Sequence, residues 1–472
     1  MLREGQNCCG IAEAERASIL VDGCNYFSAL EDVLRRAKRS IVIVGWDFDG
    51  HIRLCADRPR DVSPPLGKLL RTLVEENEQL EIRILVWSVA VLHAPSAPTE
   101  LLIGNDWQDH PRIQLRLDAT HPIYGAHHQK IVCVDGAVAF VGGMDLTVDR
   151  WDTAEHKPDD QRRHLPNGEP FGPVHDIHMV VDGEAAHAIC RLAHTRWAEG
   201  TGEVVDFEAL PVDLWPTTVP VNFVKPRIGI SRTQPEWGER KSAGESWRLT
   251  IDMLRAARRS IFIEAQYFTA AAIGDILEER LREPDGPEVV VLVSFSANTL
   301  LERKIMGENR NRLVRRLVKA DRYGRFRIYS PMVRGKDGDC PILVHSKLII
   351  VDDRLIRIGS SNLNNRSIGL DSELDLTIEA RSEAESDAIA SFRNRLLAEH
   401  LDTSPEHVAT ECAATLSLSR TIENLNTKPR HLKPIRNLSP KGPTRPVPGT
   451  WLFDPKRPFE PLWFLRRRRR RD

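Results

Sequence analysis

An eight-residue pattern, H-x-K-x-x-x-x-D, occurs twice in this chain and constrains it more than any other feature. The two copies span residues 128–135 and 345–352. After the same six-residue gap, each copy leads into a corner of small residues that carries a polar side chain, over residues 142–145 and 359–362. Two imidazoles, two ammonium groups and two carboxylates at matched spacing supply what a two-step attack on a phosphodiester requires.

The two copies lie within a longer internal repeat. In each half, an amphipathic helix pattern ends in Ala-[Lys/Arg]-Arg-Ser, at residues 37–40 and 257–260, and runs directly into an apolar strand. A helix and a second strand follow, then the motif strand, then one more strand and helix. Short β-branched strands that alternate with helices predict an α/β fold of two homologous αβαβα sandwich domains, packed as a pseudo-dimer.

The chain divides into four predicted parts: a first domain over residues 17–200, a Pro-containing connecting segment over 201–240, a second domain over 241–401 and an extended basic C-terminal tail over 402–472. The tail carries 15 Lys/Arg against 7 Asp/Glu, although the formal net charge of the whole chain is −1. Residues 428–461 are rich in Pro, Lys and Arg with little periodicity. We therefore expect them to form extended coil that lies over the core or is loose.

Strand geometry predicts which motif side chains lie on the same face of the strand. Side chains at i and i+2 of a strand face the same way, so we expect His128 and Lys130 to share one face, and likewise His345 and Lys347. A pseudo-twofold axis between the domains would bring these two faces together across one cleft. One imidazole would then attack phosphorus, and the other would protonate the leaving oxygen and later deprotonate the water or alcohol that resolves the phosphohistidine.

The acidic residues divide into two pairs. Asp135 and Asp352 have the opposite strand parity to their own histidines, so we expect them to fix the turn at the end of each motif strand. Asp176 and Glu373 occupy equivalent positions of the repeat, at or just before the strand that follows each motif. We expect this second pair to orient the imidazoles, either within a domain or crosswise between the domains; surface acids at strand entrances are the alternative interpretation.

Several polar groups are candidates for holding the phosphate. The two lysines, Ser360 and Asn362 would supply positive charge and donors to the phosphoryl oxygens. In this scheme the ammonium groups take the electrostatic role of a metal, so no cofactor is predicted.

The motifs and their surroundings resemble those of the phospholipase D superfamily. The likeness includes both motifs, both corners, the stretches 263–268 and 145–152, and residues 362–367 with Glu373, and it covers about residues 17–400. It implies a covalent phosphohistidine mechanism and hydrolysis of phospholipid headgroup esters to phosphatidic acid, often with alcohol transfer. It also implies that His128 is the nucleophile and His345 the acid. Asp145 departs from the family pattern, in which Asn is common, so the first half is expected to bind phosphate less directly.

The candidate catalytic residues are therefore His128, Lys130, Asp135, Asp176, His345, Lys347, Asp352 and Glu373. The candidate substrate-binding residues are Gly143, Asp145, Trp151, Gln266, Ser360 and Asn362. For Trp151, packing in the core is at least as good an interpretation.

Four functions remain open at this point. A phospholipase D-type hydrolase leads, and a phosphatidyltransferase of the cardiolipin or phosphatidylserine synthase kind shares all its catalytic residues. A nuclease is disfavoured because nucleases resembling this family typically carry one motif copy. A non-catalytic lipid-binding protein would need neither histidine.

The remaining expectations concern environment and partners. Eight sparse cysteines and the acidic, non-apolar N-terminus indicate a reduced, cytoplasmic or peripheral membrane protein without a signal peptide, although secretion is not excluded. Residues 463–471, Trp-Phe-Leu followed by six arginines, suggest peripheral contact with anionic lipid, with a solvated charge run or nucleic acid as alternatives. We expect a phospholipid substrate at a membrane surface, no nucleic-acid partner and a monomer.

Overall fold

Each half of the chain builds one mixed β-sheet in the computed structural model, which describes residues 1–88, 105–295, 303–435 and 441–458. The central strands are short apolar runs such as Ser40–Gly45 and Ser260–Ala265. Strands of this kind, apolar on both faces, require cover on both sides of the sheet. Here one face of each sheet is covered by the outer helices, and the opposite face packs against the other half, which contributes its sheet together with the helices Gly183–Thr201 and Glu383–His400 in the shared core.

The first sheet has eight strands. Their spatial order is Phe223–Val224, Arg16–Val21, Ile177–Asp182, Val138–Gly142, Ile131–Val134, Ser40–Gly45, Glu81–Trp87 and Ile113–Asp118.

The second sheet has eleven strands. Nine follow in the order Gly10–Glu13, Arg227–Gln234, Glu373–Glu379, Leu355–Gly359, Lys347–Val351, Ser260–Ala265, Glu288–Val293, Phe326–Gly335 and Gly338–Pro341. Ala243–Gly244 pairs with Arg227–Gln234, and Arg430–Pro434 pairs with Phe326–Gly335.

Seven strands of one sheet match seven of the other in order and direction, from Arg16–Val21 to Ile113–Asp118 in the first and from Arg227–Gln234 to Phe326–Gly335 in the second. The register between the motif strand and its neighbour is also the same in both sheets. Ile41 pairs with Val134 in the first sheet, and Ile261 pairs with Val351 in the second. The predicted fold class, two homologous α/β domains packed as a pseudo-dimer, is confirmed.

Helices connect and cover the strands. The helices of the first half are Asp22–Arg35, Leu66–Glu76 and Gly183–Thr201, with a 3₁₀ turn at Asp106–Gln108. Those of the second half are Glu245–Ala256, Ala271–Arg282, Glu308–Ala320, Arg366–Gly369, Glu383–His400, Pro405–Thr415, Leu418–Leu425 and Thr450–Phe453, with a π turn at Arg303–Gly307.

Three apolar cores hold the layers together. One lies between the helices and sheet of the first half, and a second has the matching place in the other half. The third is shared by both halves and includes Met179 and Trp197 from the first with Leu376 and Leu396 from the second. Because this shared core forces the two sheets face to face, the ends of the motif strands are held near each other.

The final Asp of each motif anchors the start of a neighbouring strand. Asp135 accepts hydrogen bonds from the backbone N–H groups of residues 38, 39 and 40 at 2.6–2.8 Å. Asp352 accepts from those of residues 258, 259 and 260 at 2.7–2.9 Å. These carboxylates therefore join the helix–strand junction to the motif strand, and their place among the catalytic residues is corrected to a structural one.

Two predicted boundaries need correction. The connecting segment predicted over residues 201–240 contains Arg227–Gln234, which pairs with Glu373–Glu379 and with the N-terminal strand Gly10–Glu13. Residues 428–461, predicted as extended coil, contain the strand Arg430–Pro434 and the short helix Thr450–Phe453, and the preceding part of the tail forms the helices Pro405–Thr415 and Leu418–Leu425. In both places apolar residues at alternating or helical spacing pack in the core shared by the two halves. Nearby prolines and polar residues made this spacing hard to recognise in the sequence. Residues 463–471 lie outside the described residues.

We predict that Asp135→Asn and Asp352→Asn each lower the free energy of unfolding by about 2 kcal/mol, because an amide NH₂ would face a backbone N–H group that now has a carboxylate acceptor. Urea denaturation followed by circular dichroism measures this loss. The exposed Asp337, changed to Asn, is the matched control. Equal stability of the Asp135→Asn, Asp352→Asn and control proteins would contradict the anchoring role.

Candidate active site

Backbone pairing between the two halves brings the motifs together. His128 N donates to Ser372 O at 2.9 Å, and His345 N donates to His175 O at 2.8 Å. Each acceptor comes from the opposite half and immediately precedes the acid predicted to orient an imidazole. The two His-x-Lys segments thus lie at the start of the motif strands rather than in the middle of them. There they form hydrogen bonds across the domain interface.

Each imidazole is held by a carboxylate of the other half. His128 Nδ1 lies 2.8 Å from Glu373 Oε2, and His345 Nδ1 lies 2.5 Å from Asp176 Oδ2. Both carboxylates are buried, while the His128 side chain is 17% and the His345 side chain 8% exposed. Within the described part of the chain, no hydrogen bond engages Nε2 of either ring, so these two atoms remain for chemistry.

The small-residue corners accommodate the carboxylates. A Cβ atom at Gly143 would collide with the carboxylate of Asp176. Ser360 has the equivalent place in the second half, and its hydroxyl donates to Glu373 Oε2 at 2.6 Å. Gly143 and Ser360, which the sequence suggested as substrate-binding residues, therefore contact the orienting acids instead.

The two lysines have different neighbours. Lys130 Nζ lies 3.0 Å from Asp145 Oδ2, whereas Lys347 Nζ donates to Gln266 Oε1 at 3.2 Å. Asn362 stands where the first half has Asp145. Lys130 thus has a carboxylate partner at 3.0 Å, whereas the Lys347 ammonium lies within hydrogen-bond distance of an amide oxygen and of His345 Nδ1.

Burial and repulsion between neighbouring cations both disfavour the charged form of Lys347. Burial lowers the pKa of Lys347 to about 7, with Lys130 and Arg150 acting in the same direction and Asp176 against them. Asn362 is also buried, and its side-chain oxygen has no hydrogen-bond partner among the described residues. An anionic ligand would relieve the repulsion between the cations.

Both imidazoles favour the neutral form in the absence of an anion. Burial lowers the pKa of His128 well below its ordinary value, and Lys130 and Lys347 add to this effect. Burial likewise lowers the pKa of His345, with contributions from Lys347, Arg150 and Lys130. A bound phosphodiester would offset these cations and raise both pKa values, which would make protonation of one imidazole easier.

Glu373 is the acceptor for several donors. Burial raises its pKa to about 8, and the hydroxyls of Ser360 and Ser367 act in the opposite direction. Ser367 Oγ donates to Glu373 Oε1 at 2.6 Å, while Ser360 and His128 meet Oε2. The donors on both oxygens act against the effect of burial, and in its ionised form Glu373 accepts the Nδ1 proton of His128 and leaves the lone pair on Nε2.

Some site residues were missed, and one predicted residue lies elsewhere. Arg150 and Ser367, both buried, influence the site through His345 and Glu373 respectively; both fall within the stretches that carry the family resemblance but had no motif position of their own. Trp151 is 5% exposed and packs in the first core, with the Arg162 guanidinium 4.9 Å above its ring.

Family comparisons agree with this geometry. A model described as phospholipase D matches residues 33–218, and one described as cardiolipin synthase, PLD-like domain, matches residues 250–396. The chain belongs to the phospholipase D superfamily. Each matched region contains one copy of the motif, so the superfamily assignment covers both halves of the site.

Individual relatives of this superfamily member are distant. It is 25% identical to phospholipase D A of Dictyostelium discoideum over 82% of its length and 36% of that protein's. It is also 25% identical to a cardiolipin synthase of Halalkalibacterium halodurans, over 77% of its own length and 63% of the other. The chain therefore spans less than two thirds of either relative. Phosphatidylserine synthase of Haemophilus influenzae has a similar fold, with a TM-score of 0.57 at 13% identity over 86% of this chain and 94% of that one.

We predict that Lys347→Met inactivates the protein but stabilises its fold. With the pKa lowered from 10.5 to about 7, the ammonium form is less favourable in the folded chain than in the unfolded chain. This cost is absent above about pH 10.5, grows as the pH falls and is complete below about pH 7, where its removal should yield about 5 kcal/mol. Urea denaturation at pH 6.5 and pH 10 measures the difference, and an equal effect at both pH values would contradict it.

Proposed function

We propose that the protein is a phospholipase D-type phosphodiesterase that hydrolyses glycerophospholipids of the phosphatidylcholine and phosphatidylethanolamine class. The observation that carries the proposal is the crosswise pair of dyads, His128–Glu373 and His345–Asp176, with two lysines between them. Each dyad leaves one ring nitrogen available, and the cations favour a phosphate anion.

In the first step, Nε2 of His128 forms a bond to phosphorus and the bond from phosphorus to the headgroup oxygen breaks. The headgroup leaves as an alcohol after it takes the Nε2 proton of His345. In the second step, His345 removes a proton from water, the water oxygen bonds to phosphorus and the phosphorus–nitrogen bond breaks. The products are phosphatidic acid and the free headgroup, and both imidazoles return to their starting states.

His128 is assigned as the nucleophile on the family resemblance and on its greater exposure. Asp176 and Glu373 act as positioning residues, because each holds Nδ1 of the opposite half's imidazole. Lys130, Lys347 and Asn362 stabilise the charge on the phosphoryl oxygens.

A phosphatidyltransferase is the second candidate, in which a primary alcohol replaces water in the second step. The match of residues 250–396 to the cardiolipin synthase domain supports it, as does similarity in fold to a phosphatidylserine synthase. The catalytic groups are common to both reactions, so the choice depends on which nucleophile reaches the phosphohistidine.

The test is an acid quench of the protein with phosphatidylcholine labelled in the headgroup or at phosphorus. We expect headgroup release, and an acid-labile phosphorus label on the protein that is lost in His128→Asn and accumulates in His345→Asn supplied with an activated substrate. Added glycerol or serine distinguishes the two candidates by the fraction of phosphatidyl alcohol formed. Plasmid cleavage with no lipid turnover would overturn the proposal in favour of a nuclease.

An anionic membrane is the partner that we propose for this enzyme. The apolar side chains Trp451, Leu452 and Phe453 are exposed on the short helix Thr450–Phe453. Asp454 attaches this helix to the second half, because its carboxylate accepts from the backbone of residues 365 and 366 at 3.2 and 3.0 Å. The arginine run at residues 466–471 follows in sequence. In the described residues no helix has the length and apolarity needed to span a bilayer.

Deletion of residues 463–472 should weaken co-sedimentation with phosphatidylglycerol vesicles at low salt, because each arginine near such a surface contributes about 1 kcal/mol. A variant with Trp451, Leu452 and Phe453 changed to Ser should weaken binding at both low and high salt, since the apolar contribution is not screened. If both variants sediment like the wild type, the membrane contact lies elsewhere.

A further inference from the structure

A second group of ionisable side chains lies behind His345 and takes no part in the proposed chemistry. It consists of Asp22, His156, His175 and Glu399, which are all buried. One ligand atom from each lies within 4.8 Å of the others. The first three residues belong to the first half, and Glu399 belongs to the second-half helix Glu383–His400.

The distances within this group match the edges of a coordination polyhedron. His175 Nδ1 lies 2.9 Å from Glu399 Oε1 and 3.0 Å from Asp22 Oδ1. His156 Nε2 lies 3.2 Å from Glu399 Oε1 and 3.9 Å from Asp22 Oδ2. A tetrahedral ion with bonds of about 2.1 Å has ligand–ligand edges of about 3.4 Å, so all four separations are compatible with one central cation.

The outward nitrogen of each imidazole is held by a carboxylate outside the group. His156 Nδ1 lies 2.9 Å from Asp152 Oδ2, and His175 Nε2 lies 3.0 Å from Glu264 Oε2. Metal-binding histidines characteristically donate their other N–H to a carboxylate, which fixes the ring and directs the free lone pair at the ion.

These outer carboxylates have further donors of their own. Arg163 donates to Asp152 at 2.8 Å, and Ser346 donates to Glu264 at 2.8 Å. His400 Nε2 also lies 3.0 Å from Glu264. The outer layer is therefore fixed independently of the four central groups, as a preorganised ligand set requires.

An unpartnered carboxylate oxygen within the group also favours a bound cation. Asp22 is fully buried, yet its Oδ2 has no hydrogen-bond partner among the described residues. A buried carboxylate oxygen without a donor is costly unless a cation meets it. Asp22 and His156 also have positive φ angles of 66° and 45°, a backbone conformation that is uncommon for residues other than glycine.

We propose that Asp22, His156, His175 and Glu399 form a structural site for a divalent transition-metal ion, and that Zn²⁺ fits it best. Two neutral imidazoles and two carboxylates give the mixed N/O set that Zn²⁺ accepts, and the two carboxylates balance its charge. The four side chains and their burial leave no open position for substrate, so this ion serves structure.

The site ties the two halves together next to the catalytic centre. Glu399 is its one ligand from the second half. His175 immediately precedes Asp176, and the carbonyl of His175 accepts the backbone N–H of His345. An ion on His175 would therefore fix the segment that orients the His345 imidazole.

The experiment uses the full chain purified without a metal-affinity tag, with metal content measured by inductively coupled plasma mass spectrometry. We expect about one Zn²⁺ per chain. After chelator treatment, added Zn²⁺ should raise the thermal unfolding midpoint, whereas Mg²⁺ should not. Co²⁺ in place of Zn²⁺ should give the intense visible absorption of a four-coordinate centre.

Variants locate the ion. His156→Gln should lose both the bound metal and the Co²⁺ absorption, while the matched control His194→Gln keeps them. His194 is also a buried histidine of the first half, but no described residue hydrogen-bonds its ring nitrogens. Should His156→Gln not fold, the response of chelated wild-type protein to Zn²⁺ and Co²⁺ decides. The absence of any such response, or metal retained in folded His156→Gln, would overturn the proposal; the group would then be a metal-free network of imidazoles and carboxylates.

Discussion

Backbone pairing across the domain interface is the constraint on which the rest of the site depends. Each His-x-Lys segment donates its histidine N–H to a carbonyl of the opposite half, and the next residue after that carbonyl supplies the carboxylate for the imidazole. One hydrogen bond therefore sets the register for two side chains. The shared apolar core holds the two halves together, and because each carboxylate comes from the opposite half, neither half carries a complete dyad alone.

Duplication has preserved the scaffold and allowed the two halves to differ chemically. Asp135 and Asp352 anchor matching strand junctions with nearly identical hydrogen bonds. The surroundings of the two lysines have diverged, since Asp145 pairs with Lys130 while Gln266 faces Lys347. The lysine with an amide partner therefore lies beside the imidazole that acts as the acid in the proposed reaction.

The sequence predicted what depends on local periodicity and on the repeat: the central strands, the covering helices and the equivalence of Asp176 with Glu373. It could not show which groups a side chain meets across the interface. Ser360 has a hydroxyl that could donate a hydrogen bond to a phosphate, but this hydroxyl donates to Glu373 instead. Arg227–Gln234 was missed because its neighbours are rich in proline, and its strand is stabilised by partners distant in sequence.

In the proposed enzyme, two imidazoles from opposite halves face one phosphate-binding site. A crystal structure of the protein with bound orthovanadate tests it most directly, because this anion adopts the geometry of phosphoryl transfer. We expect vanadium bonded to Nε2 of His128, with Nε2 of His345 within about 3 Å of the opposite apical oxygen and both lysines at the equatorial oxygens. Vanadate bound elsewhere, or the two Nε2 atoms on separate surfaces, would contradict it.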